Sequence, residues 1–275
     1  MRSNIIVLLI LIINLTLSGC SSAPKKESTE QELYEDAKRA IKLRSFQQAT
    51  IALEELESRY PFGKYAEQAQ LDLIYARYSG LDLEGSKLAA DRFIRLHPQS
   101  PSVDYAYYVR GIANYYLDSG IASQYFPIVD VSSRDPGHMR LSFKDFSELL
   151  MRFPESPYAA DAQQRMIDIR NRLSAYEMHA ARYYIKRQAY LAAVNRAAFV
   201  VKSFPTSPPL EEALNMMVSV YAKLGLDAQS SDALSVLTLN FPEGKSFNKK
   251  GQYIAMHKLY PGRSLTSVIT FGLLE

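Results

Sequence analysis

A ring-bearing residue followed directly by proline recurs five times, and this recurrence limits the possible folds more than any other feature of the sequence. The pairs are Tyr60-Pro61, His97-Pro98, Phe153-Pro154, Phe204-Pro205 and Phe241-Pro242. Proline lacks an amide hydrogen and disfavours helical backbone in the residue before it. A helix can therefore run up to each pair but not through it, which predicts repeating units that each end at a proline.

The residues that precede each proline form one face of a helix. Twelve positions back the residue is small, at Ala49, Ser86, Ser142, Ala193 and Ser230. Eight positions back it is apolar, at Leu53, Ala90, Phe146, Ala197 and Leu234. Five positions back it is large and apolar, at Leu56, Phe93, Leu149, Val200 and Leu237. Together with the ring residue, these offsets follow the i, i+4, i+7, i+11 stripe of a helix buried on one side.

Three of the prolines begin the sequence Pro-x-Ser-Pro, at Pro98, Pro154 and Pro205. We expect the serine to cap the next helix and the second proline to lie in its first turn. The pattern resembles a tetratricopeptide array, whose unit is about 34 residues long. It predicts an all-α, tetratricopeptide-like α-solenoid of about five helix pairs, with an insertion near 118–140 in the third. The pairs are expected at roughly 32–60, 65–97, 102–153, 158–204 and 210–241.

The amino terminus has the features of a bacterial lipoprotein signal. Arg2 precedes an almost unbroken apolar stretch from Ile5 to Ile13. This stretch is shorter than the ~20 residues of a membrane span but suits a signal peptide. It ends in Leu17-Ser18-Gly19-Cys20, which resembles the lipobox that places acyl chains on its cysteine. We therefore predict a signal peptide over 1–19 and lipid attachment at Cys20.

The remaining boundaries follow from composition. Residues 20–31 are polar and predict a lipidated flexible tether, and Ser21 after the cysteine resembles sorting to the outer membrane. The repeat domain is expected over 32–241. A C-terminal extension over 242–275 starts basic and ends apolar. The sequence leaves three alternatives open for it: disorder, an extra packing helix, or a segment that touches a partner or membrane.

No arrangement of residues predicts catalysis, a cofactor or a metal site. The histidines are scattered at His97, His138, His179 and His257. Motifs for zinc proteases, phosphate-binding loops and serine hydrolases are absent from the sequence. The acidic pairs Glu54-Glu55 and Glu211-Glu212 are expected on solvated helix faces. A net charge of +3 is weak for a nucleic-acid-binding surface, so no nucleic acid is expected as a partner.

Tyrosine is abundant on the first helix of several pairs, which indicates a protein-binding surface. The residues are Tyr65, Tyr75, Tyr78, Tyr105, Tyr107, Tyr108, Tyr115, Tyr116, Tyr183 and Tyr184. Tyrosine offers contact area and a hydrogen-bonding tip at low entropic cost. About half of these rings are expected to pack in the core instead.

Several segments resemble the BamD family of tetratricopeptide lipoproteins, which belong to the outer-membrane β-barrel assembly machinery. The likeness runs from the lipobox to about residue 241. It is carried by residues 59–63, 70–76, 91–96, 134–136 and 194–196, and by Asp104-Tyr105 with Arg110-Gly111.

This resemblance implies a non-catalytic scaffold, anchored by lipid on the periplasmic face of the outer membrane. Its implied partners are the barrel assembly subunit with periplasmic repeats, accessory assembly lipoproteins and unfolded outer-membrane proteins. It implies that Arg196 contacts the barrel subunit, whereas a helix-surface ion pair is the alternative for that residue. It implies a substrate groove at Tyr60, Phe62, Tyr65, Asp72 and Tyr75. Packing between repeats is the alternative for the groove residues, and the favoured one for Tyr60.

Two other functions remain as alternatives. A tetratricopeptide lipoprotein of the cell-wall or division machinery would share the fold but lack the segments at 59–76 and 194–196. A periplasmic hydrolase would require an acid, a base and a nucleophile clustered in one pocket.

Overall fold

The computed structural model of the chain describes residues 28–125 and 135–255. Cys20, the predicted signal peptide, most of the tether, residues 126–134 of the insertion and residues 256–275 lie outside these ranges. The described residues form two compact units, which divide between Ala69 and Gln70.

Ten α-helices and no named strand are found in the described residues. They are α1 (Glu30–Lys42), α2 (Phe46–Arg59), α3 (Ala66–Ser79), α4 (Leu83–Leu96), α5 (Val103–Tyr125), α6 (Gly137–Arg152), α7 (Ala159–Lys186), α8 (Tyr190–Ser203), α9 (Leu210–Lys223) and α10 (Asp227–Asn240). Odd-numbered helices are the A helices and even-numbered helices the B helices of five pairs. The predicted all-α, tetratricopeptide-like α-solenoid is confirmed. Since α5 continues to Tyr125, part of the predicted insertion is helical.

Every B helix ends at its ring residue with the same backbone geometry. The five ring residues have φ between −126° and −135° and ψ between 54° and 63°. Each donates its amide to the carbonyl four residues earlier, as His97 does to Phe93 at 2.8 Å. The following proline excludes helical backbone at this position, so the repeated pair acts as the predicted stop.

The turn after each ring residue differs from the capping arrangement that we expected. Ser100 donates its amide to His97, and Val103 then donates to Ser100, at 3.1 and 3.2 Å. Helix α5 begins only at Val103, two residues beyond Pro101, so Ser100 is not its cap. The Ser100 hydroxyl instead accepts the Ser102 amide at 3.2 Å inside the turn. The prediction of a serine cap was wrong because an extra turn separates the serine from the helix.

Four A helices end in a shared turn that the sequence did not predict. A residue with positive φ follows the helix, at Arg44, Leu81, Gln188 and Gly225. In the first pair, Arg44 donates its amide to Ile41 at 2.9 Å and Ser45 donates to Ala40 at 2.8 Å, which is the Schellman arrangement. Glycine usually marks this turn, and only Gly225 does so here.

The predicted apolar stripe forms the core of the B helices. The five residues that lie five positions before proline are all fully buried. The positions twelve residues before each proline hold alanine or serine. Where serine stands, its hydroxyl donates to a carbonyl of the paired A helix. Ser86 donates to Ile74 at 3.0 Å, and Ser142 donates to Gly111 at 2.8 Å. The buried hydroxyl is thus satisfied, as burial of a polar group requires.

Residues 242–255 cover the end of the second unit without forming a helix. Phe247 and Tyr253 make an antiparallel bridge and pack against α9 and α10. Buried Asn215 of α9 donates to Ser246 Oγ at 2.9 Å, and its Oδ1 accepts from the Tyr253 hydroxyl at 2.9 Å. For these residues, therefore, neither disorder nor an extra helix describes the extension.

Candidate functional site

Three of the predicted groove residues lie in the first unit, in and just after the turn that follows α2. Tyr60 caps α2, and its hydroxyl donates to the Ser28 carbonyl at 3.1 Å, whereas its expected packing between repeats stays a prediction. Phe62 is 98% exposed. The Tyr65 ring stacks on Tyr34 with centroids 4.6 Å apart. This unit therefore offers an exposed phenylalanine and a stacked tyrosine pair.

A partly buried contact of Glu30 positions Tyr65. Glu30 Oε1 accepts the Tyr65 amide at 2.6 Å, and a Cβ on Gly63 would overlap the Glu30 carboxyl group. The last pair repeats the arrangement, because Glu211 Oε1 accepts the Ser246 amide at 2.7 Å beside Gly244. In both turns the glycine leaves the space in which the glutamate carboxylate lies.

The acidic pair Glu211-Glu212 is not on a solvated face, which corrects our expectation for it. Glu211 holds the turn described above, and Glu212 pairs with Arg182 Nε at 2.9 Å. Burial raises the pKa of Glu212, and the charge of Arg182 opposes that rise. Residue spacing alone did not indicate these contacts, since both partners belong to other elements.

Asp72 and Tyr75, the other predicted groove residues, lie on α3 in the second unit. Tyr75 is 42% exposed. Burial raises the pKa of Tyr105, and the nearby Tyr158, Tyr75 and Asp72 raise it further. Asp72 and Tyr75 thus lie within electrostatic range of Tyr105 of α5. Because the five groove residues fall in two separately described units, the groove as a whole stays a prediction.

A ladder of tyrosine, aspartate and arginine joins the A helices α5 and α7. Tyr108 donates to Asp161 Oδ2 at 2.7 Å, and Arg165 Nε lies 2.5 Å from the same oxygen. Seven residues further along both helices, Tyr115 donates to Asp168 at 2.6 Å. Arg172 Nε lies 2.8 Å from Asp168. The ladder therefore holds phenol and guanidinium groups in fixed positions on rigid helices.

The ladder shifts the ionisation of its members in ways that its geometry explains. Burial and the hydrogen bond to Asp168 raise the pKa of Tyr115 to about 12. Burial would raise the pKa of Asp161, but hydrogen bonds from Arg165 and Tyr108 lower it overall. Near neutral pH the tyrosines are thus protonated donors and Asp161 is an ionised acceptor.

The ladder tyrosines were predicted from the sequence, but their partners were not. The partners are Asp161, Arg165, Asp168 and Arg172 of α7. Their signal was present as two i, i+4 pairs of opposite charge placed seven residues apart. Such pairs are common on solvated helices, so the spacing did not identify them as a surface shared with α5.

Arg196 lies on α8 and is held by a buried carboxylate of α7. Its Nη1 donates to Glu177 Oε2 at 2.7 Å. The Arg196 side chain is 42% exposed, whereas that of Glu177 is 4% exposed. The hydrogen bond to Glu177 raises the pKa of Arg196. The ion pair expected as the alternative role of Arg196 is present, while the role of Arg196 in binding a partner stays a prediction.

A largely buried cation ties α4, α5 and α6 together. Arg110 Nη1 donates to Asp91 at 2.7 Å, and Nη2 lies 2.8 Å from Asp145 and 3.0 Å from Glu148. Burial alone would lower the pKa of Arg110, but these carboxylates raise it. Arg110 lines a cavity of about 260 Å³ together with Lys87, Asn114, Leu141 and Lys144. The balance of charges around it fits a structural tie between repeats.

The composition and geometry of the described residues also bear on metal sites and membrane-spanning helices. No group of three or more histidine, cysteine, aspartate or glutamate side chains in 28–125 and 135–255 is arranged to hold a metal ion. Within the same ranges, every helix is too short or too polar to cross a membrane.

Together, the repeated helix pairs and their tyrosine-rich A helices define a protein of the tetratricopeptide-like scaffold class. The model of the YfiO family, described as outer membrane lipoprotein, matches residues 26–237. The chain therefore belongs to the YfiO family of outer-membrane lipoproteins.

Proteins named outer membrane protein assembly factor BamD are similar to the chain over most of its length. The one from Vibrio cholerae serotype O1 is 38% identical over 226 residues, which are 82% of this chain and 93% of that protein. The one from Neisseria meningitidis serogroup A is 38% identical over 86% of this chain and 91% of that protein. The one from Haemophilus influenzae is 34% identical over 81% of this chain and 85% of that protein.

Proposed function

We propose that the chain is a lipid-anchored scaffold subunit that assembles β-barrel proteins into the outer membrane. The observation that carries the proposal is its 38% identity over 93% of a protein named as an outer membrane protein assembly factor. The scaffold works by binding and has no catalytic step. Its anchor is the lipid on Cys20.

The barrel assembly subunit with periplasmic repeats docks on the C-terminal helix pairs, with Arg196 as a contact. Support comes from the exposure of Arg196, whose guanidinium is held by Glu177 and whose side chain is 42% exposed. A fixed guanidinium loses little freedom on binding a carboxylate.

Unfolded outer-membrane proteins bind the N-terminal helix pairs, and accessory assembly lipoproteins meet the insertion near 118–140. Support for the first comes from the exposed Phe62 ring and the Tyr34–Tyr65 stack in one unit, and from Tyr75 in the other. Aromatic rings on rigid helices suit extended segments that carry aromatic side chains.

Co-purification from detergent-solubilised envelopes tests the proposal. The mature chain is tagged at Glu275, and its partners are identified by mass spectrometry for wild type, Arg196→Glu and Arg95→Glu. Arg95 is exposed on α4, so its variant repeats the charge change away from α8. We expect wild type and Arg95→Glu to recover an integral outer-membrane barrel with periplasmic repeats, and Arg196→Glu to lose most of it.

Two other outcomes would contradict part or all of the proposal. Recovery of the barrel by Arg196→Glu would leave the function standing and overturn the role of Arg196. Recovery of cell-wall or division proteins without any barrel would favour the alternative scaffold instead.

A further inference from the structure

One buried carboxylate serves two guanidinium groups where α6, α7 and α8 meet. Glu177 Oε2 accepts from Arg196 of α8 at 2.7 Å. On its other side, Glu177 Oε1 lies 3.8 Å from Arg140 Nη2 of α6. The Glu177 side chain is 4% exposed, whereas the Arg140 side chain is 57% exposed. The carboxylate is thus enclosed while both of its cations face solvent.

This cluster carries an excess positive charge. Within the described residues, neither Arg140 nor Arg196 has another acidic partner inside 4.0 Å. One negative charge therefore meets two positive charges, and α8 itself contains no aspartate or glutamate. A guanidinium has five N–H donors, so Glu177 occupies only a minority of the donors of the two groups.

The exposed side of α8 beside Arg196 carries two large apolar side chains. Leu191, Asn195 and Phe199 follow one another at intervals of four residues and are all exposed, with Leu191 at 63% and Phe199 at 46%. Asn195 lies between the two apolar residues and adds an amide that can both donate and accept hydrogen bonds. A fixed arginine bordered by exposed aliphatic and aromatic side chains is the composition found at the centres of protein interfaces.

We infer that Glu177 arranges Arg140 and Arg196 into a two-guanidinium receptor for a carboxylate on the protein that docks on α8. The inference rests on the proposed function, since it assumes that the barrel subunit docks there. Glu177 is a positioning residue: it touches no partner and acts by holding the arginines. Arg140 is a second arm that the sequence did not reveal.

The occupant follows from charge complementarity. Two guanidinium groups with one buried counter-ion attract a second anion, and a carboxylate accepts two parallel hydrogen bonds from an arginine. The exposed apolar residues beside them indicate that this carboxylate lies on a folded protein surface, next to apolar side chains that cover Leu191 and Phe199.

The test measures binding of the full mature chain to the purified periplasmic region of the barrel subunit from the same organism. The variants are Arg196→Ala, Arg140→Ala, Glu177→Gln and the double variant Glu177→Gln/Arg196→Ala. We expect the dissociation constant to rise about tenfold or more for Arg196→Ala and about threefold to tenfold for each of the other single variants. The double variant should bind more weakly than Arg196→Ala alone by no more than the factor seen for Arg140→Ala, because Glu177 acts only through the two arginines.

Thermal unfolding of each variant separates this role from a merely structural one. A Glu177→Gln protein that melts like wild type and still binds at full affinity would overturn the inference. So would a double variant that binds more weakly than that limit, since Glu177 would then act independently of both arginines. If Arg196→Ala itself binds normally, the contact named under the proposed function fails as well. If Arg196→Ala loses binding while Glu177→Gln keeps it, only the inference fails, so the two failures are distinguishable.

Discussion

At the scale of single residues, equivalent positions in the repeats hold different residues that have the same structural role. The small position of each B helix holds alanine, or serine whose hydroxyl donates to the paired A helix, as Ser230 does to Val218 at 2.9 Å. The turn after the ring residue holds serine in three pairs and glycine in the first and last. Where glycine stands, a glutamate carboxylate takes the space and binds the turn.

Tyr115 should make the stability of the fold depend on pH in the alkaline range. Its pKa is raised from 10.0 to about 12 by burial and by Asp168. In the unfolded chain the phenol ionises near 10, so between these values the folded protein retains a proton that the unfolded chain has released. The contribution of this phenol to the free energy of unfolding is therefore complete below about pH 10, and it is lost as the pH rises through about 12. Because the site is half-buried, we expect at most about 1 kcal/mol.

Melting temperatures measured in steps from about pH 9 to pH 12 check this expectation. Tyr115→Phe should flatten the alkaline fall in melting temperature. The matched control is Tyr183→Phe, at a tyrosine that is 54% exposed. If Tyr115→Phe and wild type lose stability in parallel, the ladder does not hold the phenol as described.

At the scale of helices, the pairs depend on close approach at small residues. In the third pair, Gly111 of α5 faces the fully buried ring of Phe146 on α6. A Cβ at Gly111 would lie 2.7 Å from Phe146 Cε1, which is too close for two carbon atoms. The same glycine accepts the Ser142 hydroxyl at its carbonyl. The glycine therefore sets the distance between the two helices.

Gly111→Ala consequently should destabilise the fold although alanine favours helix. Helix propensity alone would stabilise the variant by about 1 kcal/mol. Overpacking against Phe146 should outweigh this and leave a net loss of about 1–3 kcal/mol. Denaturant unfolding measures the difference, and Gly111→Ala/Phe146→Leu should recover part of it. A single variant more stable than wild type would contradict the close approach.

At the scale of the whole molecule, a helical repeat needs its ends covered. In the second unit, the last pair is covered by residues 242–255, whose Tyr253 hydroxyl lies 2.8 Å from Ser219 Oγ and 2.9 Å from Asn215 Oδ1. Phe247 and Tyr253 pack on the cluster of Leu214, Val218 and Leu237. These residues stand where a further repeat would otherwise bury the outer face of α9.

A chain that ends at Phe241 should therefore be less stable than one that ends at Ala255. The shorter chain loses two packed rings and the partners of buried Asn215, which should cost about 2 kcal/mol or more. Tyr253→Phe in the full chain should cost about 1 kcal/mol, because only the hydroxyl is removed. Calorimetric melting compares the three, and equal melting temperatures for both truncations would show that the segment is not a cover.

The sequence by itself determined the repeat, because every signal of the repeat is local. Proline stops the helix beside it, and the stripe that ends at Leu56, Phe93 or Leu149 is set by the helical period. The five pairs could therefore be read from spacing alone. The Schellman turns at Arg44, Leu81 and Gln188 could not be predicted in this way, since arginine, leucine and glutamine are not typical of positive φ.

The tertiary structure alone decided which side chains meet across elements. Asp161 binds Tyr108, 53 positions away, and Glu177 holds Arg196, 19 positions away, because neighbouring helices stack in one particular register. The register follows from the fit of buried side chains along the full helix contact, which no short pattern encodes. The sequence thus determined the scaffold of helix pairs, and the packing of those pairs decided the charged surfaces that they present.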